Sequence, residues 1–183
     1  GCVPSKATIA AAHTAHVIRE SGKFGLKAVE PTIDFQDLHD HLHGIIAAIA
    51  PHDSVERFEG LGVTVIHEEG RFTSPREVTT GNTIIQAKRF IISTGSSADV
   101  PSIPGIDATP YLTNKTIFDL TEAPDHLIVV GGGPIGSELA QAHRRLGAKV
   151  TLLEMFRVLG KDDPEIAEVV KTRMIKEGID IRE

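Results

Sequence analysis

Leu127-Ile128-Val129-Val130-Gly131-Gly132-Gly133-Pro134-Ile135-Gly136 is the stretch that decides the fold. Leu127 to Val130 reads as a short buried strand. Pro134 to Leu146 reads as a helix, because proline suits a first helical turn and cannot donate within a sheet. Between them lies Gly-x-Gly-x-x-Gly, and each glycine has a task. Gly131 permits a tight turn, Gly133 lets backbone approach a pyrophosphate, and Gly136 lets the helix pack closely on the strand. The start of such a helix presents free N–H groups and a partial positive charge to phosphate.

Working outward, Lys149 to Glu154 reads as a second strand, Pro164 to Glu177 as another helix, and Ile179 as the start of a third strand. Asp162 and Asp163, just before Pro164, read as N-terminal helix residues and not as a paired acid-base site. Strand, helix, strand, helix implies a parallel sheet with right-handed crossovers. Glu154 closes the second strand about 20 residues after the glycines, where a carboxylate can accept hydrogen bonds from ribose hydroxyls. A strand-to-helix turn that binds nothing is the bland alternative; the agreement of glycines, flanking elements and acid favours a dinucleotide. Glu154 would repel a 2′-phosphate, which favours NAD over NADP. Arg157 could soften that preference or be an exposed loop arginine.

Upstream the chain reads differently. Ala7 to about Ser21 is an alanine-rich helix with Gly22 as a stop. Phe35 to Ile49 is a second helix, its Leu38, Leu42, Ile45, Ile46 and Ile49 recurring at helical spacing before Pro51. Then come short β-rich runs: Val63 to His67, Gly70 to Thr73, Glu77 to Thr79, Thr83 to Gln86 and Phe90 to Ser93. Thr80-Gly81-Asn82 supplies a turn. These imply a small antiparallel set leading into a buried strand. Pro101, Pro104, Gly105 and Pro110 mark a connector between two structural units.

The 183 residues carry a net charge of −6 and 40% hydrophobic content. No long basic run suits nucleic acid or an anionic membrane, and no apolar stretch suits a membrane span or signal peptide. A cytoplasmic protein acting on small molecules is expected. One cysteine allows no intrachain disulfide. His39 and His43 lie four apart on the second predicted helix, but no acid or cysteine completes a metal site; with His13 and His16 they are expected to be solvated. No metal is expected. Gly1 at the start and a strand just beginning at the other end suggest a chain truncated at both ends.

Gly1-Cys2-Val3-Pro4-Ser5-Lys6 resembles the second half of the redox-active disulfide motif of the pyridine-nucleotide disulfide oxidoreductases, the family of dihydrolipoamide dehydrogenase, glutathione reductase and mercuric reductase. Two more segments match in order. Phe90-Ile91-Ile92-Ser93-Thr94-Gly95-Ser96, followed by Pro101 and Ile103-Pro104-Gly105, resembles the strand and turn where the family's chain passes the flavin. Glu138 resembles the glutamate that pairs with the motif's lysine beside the flavin.

The resemblance implies an α/β fold: a partial FAD-binding domain with a small antiparallel sheet over 1–108, then a partial Rossmann-like NAD-binding domain with a parallel sheet over 109–183. The family's first flavin-binding segment and C-terminal interface domain would lie outside this chain, and the first cysteine upstream of Gly1. It implies FAD and NAD as cofactors, a lipoyl-type or other small disulfide as substrate, and a homodimer in the intact enzyme. Cys2, Lys6 and Glu138 would be catalytic. Lys6, Thr94, Gly95, Gly131, Gly133, Pro134, Ile135, Gly136, Glu138 and Glu154 would line the cofactors. Pro134 stands where some members carry an aromatic residue that shields the flavin. Cys2 just before a helix would also have its thiolate favoured by the helix dipole. A nucleotide-binding module or inactive fragment, and a flavin reductase without the disulfide, remain the alternatives.

Overall fold

The computed structural model describes residues 2–183. The chain forms two compact units. The larger one runs to Ala48 and resumes over Gly105–Glu183; the smaller is Ile49–Pro104.

In the larger unit α1 (Cys2–Glu20) and α2 (Phe35–Ile49) precede β4 (His126–Val130), α4 (Pro134–Arg145), β5 (Lys149–Leu153), α5 (Pro164–Lys176) and β6 (Asp180–Arg182). The smaller unit holds α3 (Val55–Gly60), β1 (Gly70–Ser74), β2 (Glu77–Thr80) and β3 (Thr83–Gln86). β4, β5 and β6 pair in parallel in that order, with Ile128 opposite Thr151 and Leu152 opposite Ile181. As the middle strand, β5 is buried at Val150, Thr151 and Leu152. Val150 and Leu152 share one core with Ala140 of α4, Met174 of α5, Val158 and Ile179. Burying a side chain such as Leu152 contributes about 2 kcal/mol.

The fold departs from the sequence expectation at several points. The first helix begins at Cys2 instead of Ala7: Thr8 Oγ1 donates to the Pro4 carbonyl at 2.8 Å, and Pro4 needs no N–H partner so close to the helix start. β4 is not buried throughout. Leu127 and Val129 pack on the core, while Ile128 is 57% and Val130 50% exposed, because successive side chains point to opposite faces and only one face is covered. Val63 to His67 and Phe90 to Ser93 form no strand. Ile91 is 92% exposed, the opposite of the buried strand expected there; β-branched composition makes a strand only where neighbouring strands supply a ladder, and none of the described strands pairs with either run. The hairpin β2–β3 forms around Thr80-Gly81-Asn82 as expected, with Gly81 at φ +51°.

In the larger unit α1 packs against α4. Ala12 of α1 meets Ala142 and Leu146, with Phe35 of α2 completing the cluster, and Ala7, Thr8 and Ala15 are also buried. Small side chains let two helices approach closely, and that approach fixes which residues of α1 face α4.

Candidate functional site

The glycine turn is built by the packing of α4 on β4. Gly131 takes φ +108°, a region costly for side chains, and its N–H donates to the Leu153 carbonyl at 2.8 Å. A Cβ on Gly136 would lie 1.9 Å from the Gly131 carbonyl oxygen, so only glycine fits there. Gly133 caps α4 in an extended conformation, and no atom lies within 4 Å of the place its Cβ would occupy. Pro134 occupies the first turn, and Ile135 beside it is exposed.

Glu154 follows β5. Its Oε2 accepts from the Gly132 N–H at 2.7 Å and its Oε1 from the Phe156 N–H at 3.1 Å. These backbone donors, Gly132 first, hold its carboxyl below the usual glutamate range. A carboxylate offers about four acceptor positions, so two bonds leave room for ribose hydroxyls. Arg157, the competing cation, is exposed and its Nη2 lies 3.5 Å from the Gly160 carbonyl in its own turn.

Gly132 was overlooked by the Gly-x-Gly-x-x-Gly pattern, in which it is a free position. A Cβ there would stand 2.9 Å from Val158 Cγ2 and 3.1 Å from Glu154 Cβ. Its carbonyl accepts from the Leu159 N–H at 2.8 Å and from Ser137 Oγ at 3.3 Å. The run of three consecutive glycines, Gly131 to Gly133, was the available signal.

The second group of residues comes from α1 and α4. Lys6 Nζ donates to both Glu138 oxygens, at 2.9 and 3.0 Å, across 132 positions of sequence. Both side chains are exposed, so the pair itself adds little stability and its geometry follows from the alanine-lined contact beneath it. Cys2 begins α1, exposed and with a free thiol, one turn before Lys6. Thr94 and Gly95 belong to the smaller unit; both are exposed, and Gly95 takes φ +70°.

Among the described residues no three histidine, cysteine or acidic side chains converge as metal ligands would. His39 and His43 stack at 4.1 Å, His39 Nδ1 lies 2.9 Å from Asp40, and His16 Nε2 lies 2.8 Å from Arg173. Asp163 caps α5, as its position implied, accepting from the Glu165 N–H at 2.9 Å. Among the described residues no helix is long and apolar enough to cross a membrane.

A parallel sheet with a glycine turn clasped by the acid that follows the next strand is the arrangement of dinucleotide-binding α/β folds. The chain belongs to the pyridine nucleotide-disulphide oxidoreductase family, whose profile matches residues 1–183. It is 37% identical to a mercuric reductase of Shigella flexneri, an alignment covering 100% of this chain and 34% of that protein. It is 33% identical to a mercuric reductase of Bacillus cereus, covering 99% and 29%. Among solved structures it is similar to the HOCl-induced flavoprotein disulfide reductase RclA from Escherichia coli. That match has a TM-score of 0.71 and 28% identity over 100% of this chain and 39% of that one. The Cu(II) complex of the same reductase matches with a TM-score of 0.73 and 26% identity, over 99% and 38%.

Proposed function

We propose that this chain is the redox-helix and nucleotide-binding portion of an FAD- and NAD-dependent disulfide oxidoreductase, with residues 1–108 belonging to its flavin-binding part and 109–183 to its NAD-binding part. The observation that carries the reading is the Lys6–Glu138 pair, which joins the cysteine-bearing helix to the helix of the glycine turn. The relatives named above are reductases, and two are mercuric reductases. The substrate class is therefore a small disulfide, of the lipoyl type or another, or a thiophilic metal ion such as mercuric ion. The intact enzyme is a cytoplasmic homodimer in this reading.

The residues suit the cofactors. At Gly133 the turn is open where a pyrophosphate would approach, and α4 directs its free N–H groups there. Pro134 contributes no N–H, which leaves those of Ile135 and Gly136. Glu154 binds the adenosine ribose. When bound, the flavin supplies two-electron exchange between the nicotinamide and the dithiol. Lys6 places a positive charge on the thiol helix one turn from Cys2, and Glu138 orients its ammonium. Cys2 supplies the sulfur nearer the flavin, its thiolate favoured by the start of α1.

The test is Cys2→Ser in the full-length protein. Reduction of substrate is expected to fall by more than about a thousandfold while the flavin absorbance band is kept. Unchanged turnover would favour instead a flavin reductase or nucleotide-binding module without disulfide chemistry, a reading motivated by the single cysteine of this chain.

A further inference from the structure

Three helices of the larger unit end around one cavity of about 420 Å³: α1 at Arg19, α4 at Arg144 and Arg145, and α5 at Arg173 and Lys176. Basic residues are common at helix C-termini, where they meet unpaired carbonyls and the negative end of the helix dipole. What matters is how many of these cations the fold already employs.

Arg145 grips Glu177 through Nε and Nη2, both at 2.8 Å, and Arg173 Nε reaches the same carboxylate at 2.6 Å. Arg19 is held by Glu30 at 2.6 Å and by the Arg145 carbonyl. Glu20, the third acid lining the cavity, pairs with Lys23. Every carboxylate of the cavity is thus committed. Arg144 and Lys176 have no counter-ion among the described residues. Arg144 Nε is buried without a partner, its guanidinium lies against Gly178, and its one acceptor is the Ala148 carbonyl at 3.5 Å. A half-buried guanidinium without an anion is costly. Five cations, Arg19, Arg144, Arg145, Arg173 and Lys176, face three carboxylates, Glu20, Glu30 and Glu177, an excess of two positive charges.

We propose that this cavity binds a small phosphate-bearing ligand, with Arg144 and Lys176 neutralising its dianionic phosphoryl group. The volume is that of a small-molecule pocket and leaves space for a body attached to the phosphate. Guanidinium and ammonium together suit a phosphoryl group: Arg144 offers a planar fork and Lys176 a mobile point charge. His16 on the cavity wall reports the same field. Its imidazole is held below the usual histidine range by burial first and then by Arg145, with Arg173 and Lys23 adding to the effect against Glu177. The site is distinct from the glycine turn, since the two lie at opposite ends of α4, about 18 Å apart for a helix of that length.

The test is equilibrium dialysis of radiolabelled inorganic phosphate against the full-length protein at low ionic strength, with saturating NAD to block the glycine turn. One phosphate per chain is expected to bind saturably. Lys176→Gln, a change at an exposed residue, should weaken it by about tenfold, and Arg144→Gln by at least as much. Circular dichroism verifies that each variant is folded. No saturable binding below about 10 mM, or equal binding by wild type and a folded Lys176→Gln, would overturn the proposal.

Discussion

At the scale of single residues, Glu154 is a carboxylate held by the loop with acceptor capacity to spare. It clasps the Gly132 N–H at 2.7 Å and still has acceptor positions free. In the proposed function these meet the ribose hydroxyls, and the same charge repels a 2′-phosphate. Glu154→Ala is therefore expected to narrow the preference for NADH over NADPH by about 1 to 3 kcal/mol, the scale of one charged hydrogen bond. The ratio of kcat/KM for the two nucleotides measures it; a wild-type enzyme that prefers NADPH would contradict the assignment. The position of Glu154 was legible from its distance to the glycines. Its bond to Gly132 was not, because that contact depends on how the turn after β5 folds back.

At the scale of elements, the tasks of the last two glycines of the motif separate cleanly. Gly136→Ala drives a methyl onto the Gly131 carbonyl, and no side-chain rotation can relieve a backbone clash. A loss of at least about 3 kcal/mol is expected in denaturant unfolding. Gly133→Ala meets nothing within 4 Å and keeps an ordinary φ of −72°, so the fold should persist while dinucleotide affinity falls, as titration of the same variant would show. Near-equal stability of the two variants would contradict this division. Other elements were harder to read. α3 has six residues, too few for a periodic signal, although Ser54 Oγ accepting from the Arg57 N–H is a recognisable cap. Composition over-assigned strands at Val63 to His67 and Phe90 to Ser93, because strand formation needs a neighbour that local sequence does not specify.

At the scale of the whole molecule, Arg145, Glu177 and Arg173 join the ends of α4 and α5. The Glu177 side chain is 8% exposed. Burial alone would push its carboxyl up, but the hydrogen bonds from Arg145 and Arg173 outweigh this and bring it below the usual value of 4.5. A group depressed in the folded state stabilises above its unfolded pKa, and that contribution is lost as pH falls through the folded one. Glu177→Gln is expected to cost about 3 kcal/mol at pH 7 by leaving two arginines without their anion. The deficit should shrink in acid, below pH about 4. Melting curves of both proteins across that range decide it; a pH-independent difference would mean that packing, not charge, sets the cost.

Sequence by itself determined the features governed by a few adjacent residues. These are the strand-turn-helix around Gly131 to Gly136, the cap at Asp163, the hairpin at Gly81 and the acid after β5. Backbone conformation, capping and periodicity act within one or two turns of chain, so the residues that cause them stand side by side. Lys6 and Glu138 could be matched only through a family resemblance, since no spacing joins residues 132 positions apart. Tertiary structure decided that pairing through the alanine-lined contact of α1 with α4. It also decided the tightness at Gly132 and the cationic cavity where three helices end. Each depends on chain segments meeting in space, and burial and charge balance exist only once they have met.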